Sequence, residues 1–198
     1  MTILPSSYLP PISWFANLRD GEPVFVEAYE HYHKQTIRNR CVIDSPNGAL
    51  ALTIPIDKGN FVNGKCLMKD VKISTHSEWQ RQHWYALESS YFNSPFFEYL
   101  QDDFRPFYEK EWTFLMDFNE ALVAKCCELI DLPANLQRTN EYVGVTEYGT
   151  TQKKESPALT ELSYYQVFSQ KHGFLSNLSI IDLIFNLGPE ALIYISNV

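Results

Sequence analysis

Between residues 24 and 74 apolar residues come in short runs. Between residues 77 and 131 they recur every three or four positions. The first rhythm predicts strands and the second helices. Residues 24–29, 34–43, 49–56 and 65–74 read as strands, with the second and third joined as a hairpin across Pro46-Asn47-Gly48. Ahead of them, Tyr8-Leu9-Pro10 leads into a short helix that has Pro11 at its first position and Asp20-Gly21 at its close.

Ser77-Glu78-Trp79-Gln80 matches a capping box, and Trp79, His83, Ala86, Leu87 and Ser90 follow at helical spacing. A second helix is predicted from Pro95 through Phe96, Phe97 and Leu100. Residues 109–131 give the clearest helix: Trp112, Leu115, Asn119, Leu122, Cys126 and Leu129 form one stripe, and Pro133 ends it. Residues 133–161 are polar, with a short strand expected at 142–146 and an exposed loop at 149–157. Ser179-Ile180-Ile181-Asp182 is another capping box, leading into a helix to Leu187, and Gly188-Pro189 separates that from a short final helix. The expectation is one α+β domain over residues 1–198. A mixed β-sheet built mainly from the N-terminal part packs with helices from residues 77–131 and the C-terminal tail.

Charge enters through the second strand. Alternation along residues 34–43 puts Lys34, Thr36, Arg38 and Arg40 on one face and Gln35, Ile37, Asn39, Cys41 and Ile43 on the other. Arginines two residues apart suit bidentate contacts with phosphate or carboxylate. The alternative is a solvated face paired with acidic neighbours. Gln35 and Asn39, set among apolar residues, are internally satisfied amides or line a pocket. Asn119, inside the stripe of the long helix, points inward as a core amide or as part of a site. Asp182 satisfies the backbone donors at the start of its helix. Asp117, on another face of the long helix, is expected in solvent.

His83 is the candidate general acid or base, because imidazole titrates near neutrality; a partly buried structural histidine is the alternative. His31 and His33, or His76 and His83, form pairs for which no standard spacing supplies a third ligand, so no metal site is expected. No Gly-rich phosphate loop, nucleophile elbow or paired-carboxylate signature occurs, and the cofactor question stays open.

Composition narrows the partners. A net charge of −8 argues against nucleic acid. No apolar run approaches the ~20 residues of a membrane span, and residues 1–8 lack a signal peptide's basic and apolar stretches, so a cytoplasmic location is expected. The 4 cysteines have neither zinc nor redox spacing and are expected as small buried apolar residues.

An ordered series of short motifs resembles the WbqC-like protein family. The series runs Tyr8-Leu9-Pro10, Trp14-Phe15, Lys34-Gln35, Arg38-Asn39-Arg40, Leu52-Thr53-Ile54-Pro55-Ile56, Trp79, His83-Trp84, Tyr91, Pro95-Phe96-Phe97, Leu115, Asn119 and Leu178-Ser179-Ile180-Ile181-Asp182-Leu183. Members often carry a His-Gln-Pro-type segment before the Tyr-Leu-Pro; this chain has Leu4-Pro5-Ser6-Ser7. The family's link to O-antigen gene clusters implies a part in bacterial surface-polysaccharide assembly. Donors in such pathways are anionic activated sugars, and the leading expectation is an activated-sugar, nucleotide-sugar or acyl-donor ligand held by Lys34, Gln35, Arg38, Asn39, Arg40 and Asn119, with His83 for acid–base work. The alternative is a non-catalytic binding or scaffold protein of the same pathway.

Overall fold

A computed structural model describes residues 2–18, 21–143 and 162–198. The order of elements is β1 (Thr2–Pro5), α1 (Ile12–Phe15), β2 (Val24–Glu27), β3 (Arg40–Ile43), β4 (Leu50–Thr53), β5 (Ile56–Asp57), β6 (Lys72–Ile73), α2 (Trp79–Tyr91), α3 (Phe97–Glu109), α4 (Leu115–Leu129), β7 (Leu136–Arg138), α5 (Ser169–His172), α6 (Ile180–Leu187) and α7 (Ala191–Ser196). The fold is α+β. In place of one mixed sheet, the described strands form a parallel sheet in the order β1-β2-β7 and two antiparallel pairs, β3-β4 and β5-β6.

β1 and β7 were not expected from the sequence. Their short runs carry no alternation, and each is made a strand by β2: Thr2 lies opposite Val24, and Val24 opposite Leu136. The strand expected at 65–74 shrinks to Lys72–Ile73, preceded by a 3-10 turn at Met68–Asp70. Tyr142 and Val143 are not in a strand. The remainder of the strand expected at 142–146 and the loop at 149–157 lie outside the described residues.

The helices follow the apolar rhythm with shifted bounds. α3 runs on to Glu109 with Pro106 inside it. The proline removes a bond to the carbonyl of Asp102, and both residues are exposed, so water takes that acceptor. α2 starts at Trp79 with no side-chain cap, whereas Ser179 caps α6 by accepting from the backbone N–H of Ile181. Leu115, Asn119, Leu122 and Cys126 of the α4 stripe are buried. Phe185 of α6 packs on Phe97 and Phe104 of α3 at 5.1 and 5.3 Å between ring centres. Each such ring contributes roughly 1.5–3 kcal/mol by burial.

The segment leading into α6 crosses the N-terminal part and fixes β3. Ile12 N–H bonds Leu178 O at 3.0 Å, Ile180 N–H bonds Pro10 O at 2.8 Å, and Ser179 N–H bonds Val42 O at 2.8 Å. That crossing sets the outer end of β3 beside α6.

Candidate functional site

The basic run is not a strand before Arg40. Residues 34–39 are turns: Gln35 has φ 58°, Thr36 Oγ1 donates to His33 O at 2.8 Å, and Asn39 N–H reaches Thr36 O. The turn delivers Arg38 to the interior, where Glu30 grips it in bidentate fashion, Nε to Oε1 at 2.7 Å and Nη2 to Oε2 at 2.5 Å. The Arg38 side chain has no solvent exposure. Burial of a guanidinium is tolerated because a carboxylate meets its fork. The four residues expected on one face therefore separate. Lys34 is exposed, Thr36 and Arg38 are buried, and Arg40 is half-buried.

Asn39 and Asn119 hold this turn. Asn39 Nδ2 donates to Ile54 O at 2.8 Å, and Asn119 Nδ2 donates to the Arg38 carbonyl at 2.8 Å and to Ser6 Oγ at 3.0 Å. Both amides leave a buried Oδ1 without a partner. Gln35 lies exposed on the turn.

Arg40 differs from Arg38. No described residue pairs with its guanidinium, and its Nε is buried without an acceptor. Arg40 and Val42 share the outer face of β3 opposite Thr53 and Ala51 of β4, while Cys41 and Ile43 point into the core. Val42, at 37% exposure, gives that face an apolar floor.

His83 is enclosed. Its Nδ1 lies 2.9 Å from Tyr8 Oη, which in turn lies 2.9 Å from Tyr108 Oη. Its other ring nitrogen faces the Thr53 carbonyl. Burial lowers its pKa to about 4, with the Thr53 carbonyl opposing. The ring is neutral, and both nitrogens are engaged in a sealed network. Burial likewise pushes the Tyr8 and Tyr108 hydroxyls up.

Past the end of β3 lies a cluster that local sequence patterns did not single out. Asp44 follows the end of β3 and is buried, at 1% exposure. His172, closing α5, sets Nε2 3.1 Å from Asp44 Oδ1 and 3.2 Å from Ser45 O. The Ser45 carbonyl accepts from Nε2, which places the ring hydrogen there and leaves Nδ1 with a lone pair. Asp44 Oδ1 lies at ion-pair distance without a hydrogen bond, and both of its carboxylate oxygens are buried without a partner. Nδ1 is buried and has no partner. Desolvation raises the Asp44 pKa, opposed by His172 and by the Ser45 and Phe168 backbone.

Asp182 stands behind this pair. Its carboxylate accepts from Tyr91 at 2.8 Å, from Tyr164 at 2.5 Å and from Gln166 at 3.1 Å. Ser179, not Asp182, caps the helix. Burial raises Asp182 to about 6 against those three donors, with Asp44 adding to the rise. The signal for Asp44 was its place before the Ser45-Pro46-Asn47-Gly48 turn. Tyr164, Gln166 and His172 sit in a stretch without periodicity, and nothing local marks them.

The expectation for the cysteines holds. All four cysteines are free and buried. Asp117 is half-exposed but paired with Arg138 at 2.6 Å. Among the described residues no group of three or more His, Cys, Asp or Glu side chains could hold a metal ion, and no helix is long and apolar enough to cross a membrane.

Comparison with known proteins gives two matches. The model of the WbqC-like protein family matches residues 6–155. An uncharacterised protein of Mycobacterium tuberculosis is 26% identical over 223 aligned positions, which cover 96% of this chain and 95% of that protein. No solved structure matches.

Proposed function

The chain belongs to the WbqC-like protein family, and from that premise we propose that it is a cytoplasmic enzyme of bacterial surface-polysaccharide assembly, acting on an activated sugar with His172 as general base. The observation that carries this reading is the Asp44–His172 pair with its unpartnered Nδ1. Nδ1 is buried at rest, so the acceptor must displace the side chains over it. Its hydroxyl then gives its proton to Nδ1 as its oxygen bonds the anomeric carbon of the donor. The bond from that carbon to the phosphate breaks, the nucleotide leaves with the electron pair, and the nearby Asp44 carboxylate stabilises the imidazolium. We assign the base to His172 rather than His83, whose nitrogens are both occupied.

The anionic part of the donor meets Arg40. Arg40 opens β3 and Asp44 follows its end, about 13 Å apart at 3.3 Å per residue of extended chain. An elongated donor lying along β3 over Val42 has Arg40 at one end and the buried Asp44, paired with His172, beneath the other. Lys34 and Gln35 stand at the turn ahead of Arg40, while Arg38, Asn39 and Asn119 act by fixing that turn.

A panel of nucleotides, nucleotide-sugars and acyl carriers, screened by thermal shift and then assayed for nucleotide release, tests this. A ligand of the folded state raises the melting temperature. The expected outcome is a shift that Arg40→Ala abolishes. His172→Gln keeps the shift but loses turnover by roughly 10²–10⁴-fold. If nothing in the panel shifts the protein, or His172→Gln turns over at the wild-type rate, the reading fails.

A further inference from the structure

A cavity of about 420 Å³ opens at the foot of the basic run, within the ~300–1,000 Å³ of ordinary ligand pockets. It is lined by His31, Asn60, Asn63, Lys65, Cys66 and Asp70, and shares no residue with the Arg40–His172 face. The sequence puts it there by a tight hairpin. Val62 and Lys65 exchange backbone bonds at 2.9 and 3.0 Å around Asn63 and Gly64, whose φ values of 51° and 76° are those of a hairpin turn. Tyr32 N–H bonds Cys66 O and Met68 N–H bonds Glu30 O, both at 2.9 Å, which draws His31 to the opposite wall.

The polar groups in this cavity are built and underused. Asn60 Nδ2 donates to the Asp70 carbonyl and contacts Cys66 Sγ at 3.6 Å, so the amide cannot turn freely. Its Oδ1 is buried and has no partner. No described acid pairs with the exposed Lys65; the Asp70 carboxylate has Lys69 at 3.9 Å. Burial raises the Cys66 thiol, which keeps it neutral and makes it an apolar floor.

We propose that this cavity is a second ligand site, for a small phosphorylated sugar. Asn60, Asn63 and Asp70 meet the hydroxyls, since amides and a carboxylate supply both donors and acceptors. Lys65 and His31 meet the phosphate. A single ring with one phosphate suits the mix: a free sugar leaves Lys65 without a partner, and phosphate alone leaves the amide oxygen unmet.

Isothermal titration with hexose 1-phosphates, free hexose and inorganic phosphate tests the assignment. A hexose 1-phosphate is expected to bind the wild type at least tenfold tighter than either free hexose or phosphate. Lys65→Glu, at an exposed side chain outside the core, is expected to weaken that binding at least tenfold, with His31→Ala weakening it less. Arg40→Ala and His172→Gln leave it unchanged. Absence of heat with every hexose phosphate overturns the proposal. So does equal binding by Lys65→Glu, and if Arg40→Ala then loses the ligand, the ligand belongs to the β3 face and the reading of that face survives.

Discussion

The Tyr91 hydroxyl donates to Oδ1 of Asp182 at 2.8 Å, joining groups 91 residues apart in sequence. The same hydroxyl accepts the backbone N–H of Asp44 at 3.2 Å. One phenol thus ties the buried carboxylate of α6 to the residue that faces His172. Burial and the neighbouring Asp44 make that carboxylate costly to ionise.

Asp182 makes stability fall as pH rises. Its folded pKa, about 6, lies above the ordinary 3.8, so the folded state binds the extra proton and the benefit is lost between pH 4 and 6. The shift corresponds to about 3 kcal/mol. In urea denaturation, the stability of wild type minus that of Asp182→Asn should drop by about this amount from pH 4 to pH 7. A difference that does not change with pH would show that Asp182 titrates normally.

His83 should not titrate near neutrality. With its pKa lowered to about 4 by burial, its ring signals in NMR should stay fixed from pH 5.5 to 8. Tyr8→Phe removes the donor at Nδ1 and strands a buried acceptor, which costs about 1–3 kcal/mol. A His83 midpoint near 6.5 would mean that the network opens to water.

Breaking the Glu30–Arg38 pair should be severe, and replacing both partners mild. Glu30→Gln leaves a guanidinium uncompensated in the interior, at about 3–5 kcal/mol. Arg38→Met combined with Glu30→Leu is expected to recover most of that loss in denaturant titration. Equal losses for the single and double variants would contradict this account of the turn.

Gly188→Ala should also destabilise the protein. A Cβ there would sit 2.5 Å from the Phe96 ring, at a φ of +56°. Strain and overpacking together exceed about 1 kcal/mol, read as a lowered melting temperature. A neutral result would mean that Phe96 moves aside without cost.

What was legible in the sequence was what a single element decides for itself. The α4 stripe and the Ser179 cap follow from spacing and from one side chain. The expected strand at 34–39 failed because alternation treats every charge as outward, whereas Arg38 has its carboxylate eight residues upstream at Glu30. The Asp44–His172 pair was not legible at all. Its halves are brought together only when the crossing at residues 178–180 pins β3 beside α6, and that placement belongs to the tertiary structure.

The parallel sheet bears on how the chain is made. Val24 meets Leu136, and the neighbouring Thr139 hydroxyl bonds Glu27 across 112 residues. β2 therefore leaves the ribosome long before its second neighbour exists and waits with one edge unpaired. Contacts of such long sequence separation slow folding, and an unpaired edge recruits other chains. The nascent protein is most exposed to aggregation between synthesis of β2 and synthesis of β7, and a chain stopped before residue 136 would carry that open edge permanently.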